Sequence, residues 1–275
     1  MNVSNPGSEE RDVRFAFGRN WASYAALVGE REIAEAEKGL LKLIPEPELR
    51  GRSFLDIGCG SGLHALAAAR LGASRILAID YDPDSVSTTK GLLERHDVGV
   101  PWQAERIDVF DLDPGQAGLF DIVYSWGVLH HTGDMWRAVD KAASCVAPGG
   151  LLAIALYRST RMDAFWTWEK RRYAQASPGV QRAMRALYLA AHRVCCVVFG
   201  GNYRDMVANY RSARGMDFYH DVHDWLGGYP YETALAPEVE ARMAALGFTA
   251  ERVFALPMTR GVLGSGCDEY VYRRS

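Results

Sequence analysis

Cysteine is scarce and scattered in this chain of 275 residues. The five residues Cys59, Cys145, Cys195, Cys196 and Cys267 are odd in number and form no C-x-x-C pair, which argues against a disulfide framework or a zinc ribbon and fits a reduced, cytoplasmic compartment. No apolar run approaches the ~18 residues that a membrane span needs, and the polar opening MNVSNPGSEERDVR holds no apolar signal core. Charge of either sign is not in excess: 31 Lys and Arg against 34 Asp and Glu leave −3, a balance that points to no nucleic-acid or membrane partner for the molecule as a whole. Apolar residues are plentiful at 48%, ample for the core of one domain with a sizeable insertion.

The densest signal is Phe54 to Leu63, FLDIGCGSGL. An apolar run ends on Asp56 and passes through Gly58, Gly60 and Gly62 into the Ala-rich stretch Ala65 to Leu71, which reads as strand, tight turn and helix. Alternate glycines let the backbone turn sharply and lay main-chain N–H groups, with the positive end of a helix, directly against a ligand. A dinucleotide fingerprint would need a third glycine where Leu63 stands, so the NAD reading fails. The motif D-x-G-x-G-x-G instead resembles the first motif of the class I S-adenosylmethionine (SAM) dependent methyltransferases. That resemblance implies an α/β fold, a doubly wound, Rossmann-like sheet of seven strands with the last antiparallel, and SAM as cofactor.

The chain divides accordingly. Residues 1–48 read as a polar tail and helical cap, with Phe15, Phe17, Trp21 and Tyr24 preceding an amphipathic helix from Glu30 to Leu43. The helix is expected to cover the sheet edge and Trp21 to line the cofactor pocket as part of a lid. Residues 49–157 form the cofactor core. Its second strand, Arg75 to Ile79, closes on Asp80, 24 residues after Asp56, near the interval at which nucleotide-binding α/β folds set an acid against the ribose. Two carboxylate oxygens match two vicinal hydroxyls. Tyr81 adjoins it, while Asp82-Pro83 reads as the cap and first position of the next helix. After a strand from Trp102 to Ile107 come Asp108 and Val109, which the resemblance places against the adenine amino group and ring edge.

The fourth motif, FDIVYSWGVLHHTGD, begins as a buried strand from Phe120 to Tyr124 and ends at Ser125-Trp126-Gly127, where open α/β sheets bind ligands. Trp126 is assigned to the cofactor. The Asn/Asp-Pro-Pro-aromatic sequence typical of enzymes that methylate base amines or glutamine amides is missing here, and the stretch resembles the small-molecule, type 11 branch of the class. His130 and His131 are the candidate catalytic groups, since a hydroxyl acceptor benefits from an imidazole base; the alternative is that one ring orients the loop. A helix from Met135 to Val146, a stop and turn at Ala147 to Gly150, and a strand from Leu151 to Tyr157 follow, with Tyr157 on the acceptor side.

Residues 158–234 read as a helical insertion holding acceptor specificity. From Arg158 to Arg214 it carries eleven Lys and Arg against three Asp and Glu. That bias fits a pocket for an acidic acceptor, an amphipathic helix from Val180 to Phe199 for an anionic membrane or lipid-linked acceptor, or a solvated subdomain or homodimer contact. Further on, His220 and His223 share a helical face and are assigned to substrate, being too few for a metal site. Residues 235–275 complete the core with a helix from Pro237 to Leu246 and strands from Thr249 to Ala255 and Glu269 to Tyr272. The expected activity is SAM-dependent methylation of a small molecule, hydroxyl oxygen favoured, such as a sugar, natural product or other polar metabolite. The alternatives are an RNA or protein methyltransferase using the basic insertion, or a SAM-binding protein without turnover.

Overall fold

The computed structural model describes residues 18, 21, 28–198, 200–214 and 218–275. Phe15, Phe17 and Tyr24 of the expected lid lie outside them. Five parallel strands, β1 (Ser53–Ile57), β2 (Arg75–Asp80), β3 (Trp102–Arg106), β4 (Phe120–Trp126) and β5 (Val146–Tyr157), are joined by β6 (Phe248–Phe254) and an antiparallel β7 (Cys267–Arg274) in the order β3-β2-β1-β4-β5-β7-β6. Every residue of β1 is buried, as a central strand covered on both faces requires. The chain turns to one side after β1 and to the other after β4. The crevice outside the carboxyl ends of that neighbouring pair is therefore where an open sheet of this kind receives its ligand.

Two apolar layers flank the sheet. On one face α1 (Glu30–Leu43), α2 (Leu63–Arg70) and α3 (Pro83–Arg95) pack Ile33, Leu40, Leu66 and Leu93 against Phe54, Ile122 and Tyr124. On the other, α4 (Met135–Ser144) and α9 (Ala236–Ala245) pack Val139 and Met243 against Leu55, Val123 and Ile154. The doubly wound, seven-stranded expectation holds. One local expectation does not: Ala147 to Gly150 is no turn between helix and strand. Phe120 already pairs with Val146, the register shifts, and Ile122 pairs with Leu151, so these residues are an irregularity within β5.

Between β5 and α9 run α5 (Asp163–Gln175), α6 (Pro178–Val198), α7 (Tyr203–Arg214) and α8 (Phe218–Gly227), gathered round a third apolar cluster containing Trp166, Tyr173, Phe218, Val222 and Leu226. The two ends of this excursion meet: Arg158 bridges Ala234, and the N–H of Ala234 donates to Tyr157 O at 2.9 Å. A buried ion pair fastens them to the sheet, Arg158 Nε donating to Asp268 Oδ1 at 2.8 Å. Trp166 Nε1 reaches Gly261 O at 2.6 Å. Leu187, Val194 and Val197 on α6 are exposed, yet among the described residues no single helix is long and apolar enough to cross a membrane.

Candidate active site

The glycine turn is held in place by its neighbours. The N–H groups of Gly58 and Cys59 both donate to Ile79 O, at 2.8 and 3.0 Å, which pins the turn to the end of β2. Gly62 enters α2 at φ +80, and a Cβ there would lie 2.8 Å from Thr89 Cα, so only glycine allows α2 and α3 to approach so closely. Gly60 donates to Asp80 Oδ2 at 3.0 Å, and Asp82 N donates to Asp80 Oδ1 at 2.9 Å. Burial raises the Asp80 carboxyl above its ordinary value, against the opposing pull of these two N–H groups.

Most residues assigned to the cofactor converge on one cavity. Gly58, Gly60, Asp80 and Tyr81 line it from the β1–β2 side, Asp108 and Val109 from beyond β3, and Trp126 from the end of β4. Trp21 also lines it, its ring 3.3 Å from where a Gly60 Cβ would stand. Gly18 N donates to Asp82 Oδ2 at 3.0 Å. The structure places Asp56 and Gly62 differently, beneath the turn and outside the cavity wall. Asp56 is buried with Oδ2 unpartnered, and burial first, then the nearby Asp80, push its carboxyl up to about 7.

The two adjacent histidines separate into different environments. His130 is wholly buried, is not among the residues lining the cavity, and accepts Tyr157 N on Nδ1 at 3.3 Å while Nε2 has no partner. Its ring centroid lies 3.9 Å from that of Tyr157. Burial, followed by the charges of His131 and Lys170, holds it well below the usual imidazole range. His130 is therefore a neutral strut under Tyr157 and not a group that meets an acceptor. His131 does line the cavity; its Nδ1 donates to Pro230 O at 2.7 Å, and burial brings its pKa down to about 4. Tyr157 stands beside it, packed edge-on to Trp225 at 5.3 Å.

The insertion contributes residues other than the expected ones. His223 Nδ1 lies 2.6 Å from Tyr173 Oη and 3.0 Å from Arg185 Nη1, and neither His220 nor His223 lines the cavity. Burial, then the Arg185 charge, lowers His223 to about 4. The interleaved Asp221 and Asp224, with Val222 and Trp225, face the cavity in their place. Helical spacing groups the carboxylates as well as it groups the imidazoles. What selects between them is the packing of α8 on Tyr173, a partner far away in sequence. Nor does the basic bias reach the site: among the described residues, no Lys or Arg of 158–234 lines the cavity. Arg158 and Arg185 are engaged with Asp268 and Tyr173, so the expected basic pocket for an acidic acceptor is not formed.

Comparison with known proteins bears on the first half of this cavity. Residues 55–154 match a family described as "Methyltransferase domain", type 11. Over residues 55–154 the chain carries a methyltransferase domain. Similar proteins include the ubiquinone biosynthesis O-methyltransferase of Methylocella silvestris, 36% identical over 122 residues, which are 44% of this chain and 46% of that protein. The tRNA U34 carboxymethyltransferase of Methylococcus capsulatus is 35% identical over 107 residues, 38% of this chain and 32% of that one. The chain thus spans about half the length, or less, of the curated relatives it matches. Among solved structures, magnesium protoporphyrin IX methyltransferase from Synechocystis with bound SAM superposes with a TM-score of 0.57 at 13% identity, covering 100% of both chains. The [4+2]-cyclase SpnF superposes with a TM-score of 0.53 at 14% identity, over 86% of this chain and 79% of that one. A cyclase among the neighbours shows that this methyltransferase fold hosts more than one chemistry. The matched methyltransferase domain ends at Ile154, short of Tyr157 and the whole insertion.

Proposed function

We propose that this protein binds SAM across the glycine turn and transfers its methyl group to a hydroxyl of a small molecule seated between His131, Tyr157 and α8. The observation that carries this reading is the continuity of the site. One cavity of about 1300 Å³ runs from Gly60 and Asp80 at the strand ends to Tyr157 and Trp225 at the insertion, so nucleoside and acceptor share a single chamber.

The donor set fits the cofactor. Asp80 offers two carboxylate oxygens to two ribose hydroxyls, and Asp108 with Val109 offers an acceptor and an apolar edge to a purine. When bound, SAM supplies a methyl on a positive sulfur, which leaves with the bonding electron pair as S-adenosylhomocysteine when an acceptor lone pair takes that methyl. The protein's own part is to hold the acceptor in line and to accept its proton. His131 is the candidate for the second of these roles, since its imidazole lines the cavity beside Tyr157. A pKa of about 4 keeps it neutral through the physiological range. A small acceptor is supported over RNA by the cavity wall, where the insertion places carboxylates and rings and, among the described residues, no Lys or Arg to meet phosphate.

Calorimetry with S-adenosylhomocysteine tests the reading. The unmodified protein should bind it, and Asp80→Ala should weaken it roughly 100-fold, the loss of two charge-assisted hydrogen bonds. His131→Gln should leave that affinity unchanged while slowing turnover about 100-fold. Absence of any binding heat with the unmodified protein overturns the proposal.

A further inference from the structure

The arginines that the chamber leaves unused stand outside it. Helix α6 holds Arg182, Arg185 and Arg193 and, in its 21 residues, no acid. None of those residues is buried. Tyr188 and His192 give one side of the helix to the cavity. Another side carries Val180, Ala183, Leu187, Ala190, Val194 and Val197, all exposed, Leu187 by 74%. Their spacing alternates between three and four residues, so they form an apolar stripe about 100° wide, roughly opposite Tyr188 and His192. Arg182 and Arg193, also exposed, border the stripe along one edge.

Two neighbouring segments repeat the combination. On α5, Phe165 and Trp168 are exposed with ring centroids 6.1 Å apart, and Arg172 follows Trp168 by one turn on the same face. The loop from β6 to β7 is fastened to both helices, by Trp166 Nε1 donating to Gly261 O and Tyr188 Oη donating to Leu263 O at 2.7 Å. It exposes Met258 and Val262 on either side of Arg260. Among the described residues, none of Arg172, Arg182 and Arg260 is paired with a carboxylate.

An apolar stripe bordered by cations suits a helix lying in a lipid–water interface. Its aliphatic side chains enter the acyl boundary and its guanidinium groups stay among the headgroups, the level at which a Trp ring is also favoured. A second copy of the chain laid on the stripe would set Arg182 and Arg193 of both against like charge, with no acid on either helix to answer them. An anionic lipid surface supplies that missing counter-charge.

We propose that the outer face of α6, with Phe165 and Trp168 of α5, docks the protein on an anionic bilayer. The contact is peripheral, since among the described residues no single helix is long and apolar enough to cross. Because α6 also lends Tyr188 and His192 to the chamber wall, docking holds the acceptor side of the molecule at the lipid surface. The face is separate from the chamber and does not depend on what the chamber binds.

Flotation with vesicles tests the proposal, using phosphatidylcholine alone or with about 30% phosphatidylglycerol. In about 50 mM salt the unmodified protein should bind the anionic vesicles at least about ten-fold more tightly than the neutral ones, and the binding should weaken as salt rises. Leu187→Glu combined with Val194→Glu should weaken binding to anionic vesicles about ten-fold or more, and Arg182→Glu about five-fold or more. All three positions are exposed, and an unchanged urea midpoint shows each variant folded. No binding to anionic vesicles, equal binding to both compositions, or undiminished binding by the folded double variant overturns the proposal. So does a dimer in size-exclusion chromatography that the double variant converts to monomer, which would seat a second copy on this face.

Discussion

Two aspartates 24 residues apart close adjacent strands and do different work because only one has donors for both of its oxygens. Asp80 is met by the N–H groups of Gly60 and Asp82, whereas Asp56 keeps an oxygen without a partner in an apolar surround. Its carboxyl, pushed up to about 7, holds a proton that the unfolded chain releases near its ordinary value of 3.8. The folded state therefore binds more protons between those two values, and the protein loses stability as pH rises through that window. Asp56→Asn abolishes this loss. The variant should gain on the unmodified protein between pH 4 and about 7 and hold the gain above it, as urea midpoints at pH 5 and pH 8 will show. At this scale the sequence was informative where a residue's role depends on chain position. The interval to Asp80 identified the acid at the cavity. It could not tell His130 from His131, because successive residues of the short 3-10 turn Leu129–His131 point to different surroundings, and only the packing of Tyr157 decides which ring is buried. For a similar reason helical spacing does not decide between His220 and His223 and the interleaved Asp221 and Asp224 that line the cavity.

Elements were more legible, since their causes are local. Helix α3 starts where Asp82 accepts the N–H of Asp84 at 2.9 Å and Pro83 occupies its first position, both visible as a cap in the sequence. The same helix contains an avoidable weakness. Gly91 sits in its interior with nothing within 4 Å of a would-be Cβ, so Gly91→Ala should stabilise the protein by about 0.5–1 kcal/mol through reduced freedom of the unfolded chain. Thermal or urea unfolding measures that gain. The bulged start of β5 was not legible: Pro148-Gly149-Gly150 signals a break wherever it occurs, and only pairing with Phe120 across the sheet shows that the strand continues.

For the molecule as a whole, the ordered motifs specify the sheet, and the surfaces where the insertion meets it are set by long-range pairs that no spacing rule reveals. The buried pair Arg158–Asp268 is the clearest of these, spanning 110 positions. Arg158→Met would leave a carboxylate buried without its cation. It should cost about 3–5 kcal/mol, read as a lowered urea midpoint with the slope unchanged, whereas Arg158→Met together with Asp268→Leu should recover much of the loss.

The excursion from the sheet opens at Arg158 and closes at Ala234, two residues that bridge each other. Strand register therefore does not depend on what is threaded between them, and the entropy of closing a longer or shorter loop there changes only with the logarithm of its length. The acceptor chamber is in this sense a cartridge. Its helices meet the core at this bridge, at Trp166–Gly261 and at His131–Pro230, so an exchange that keeps these contacts alters the acceptor side while the nucleoside cradle is left untouched.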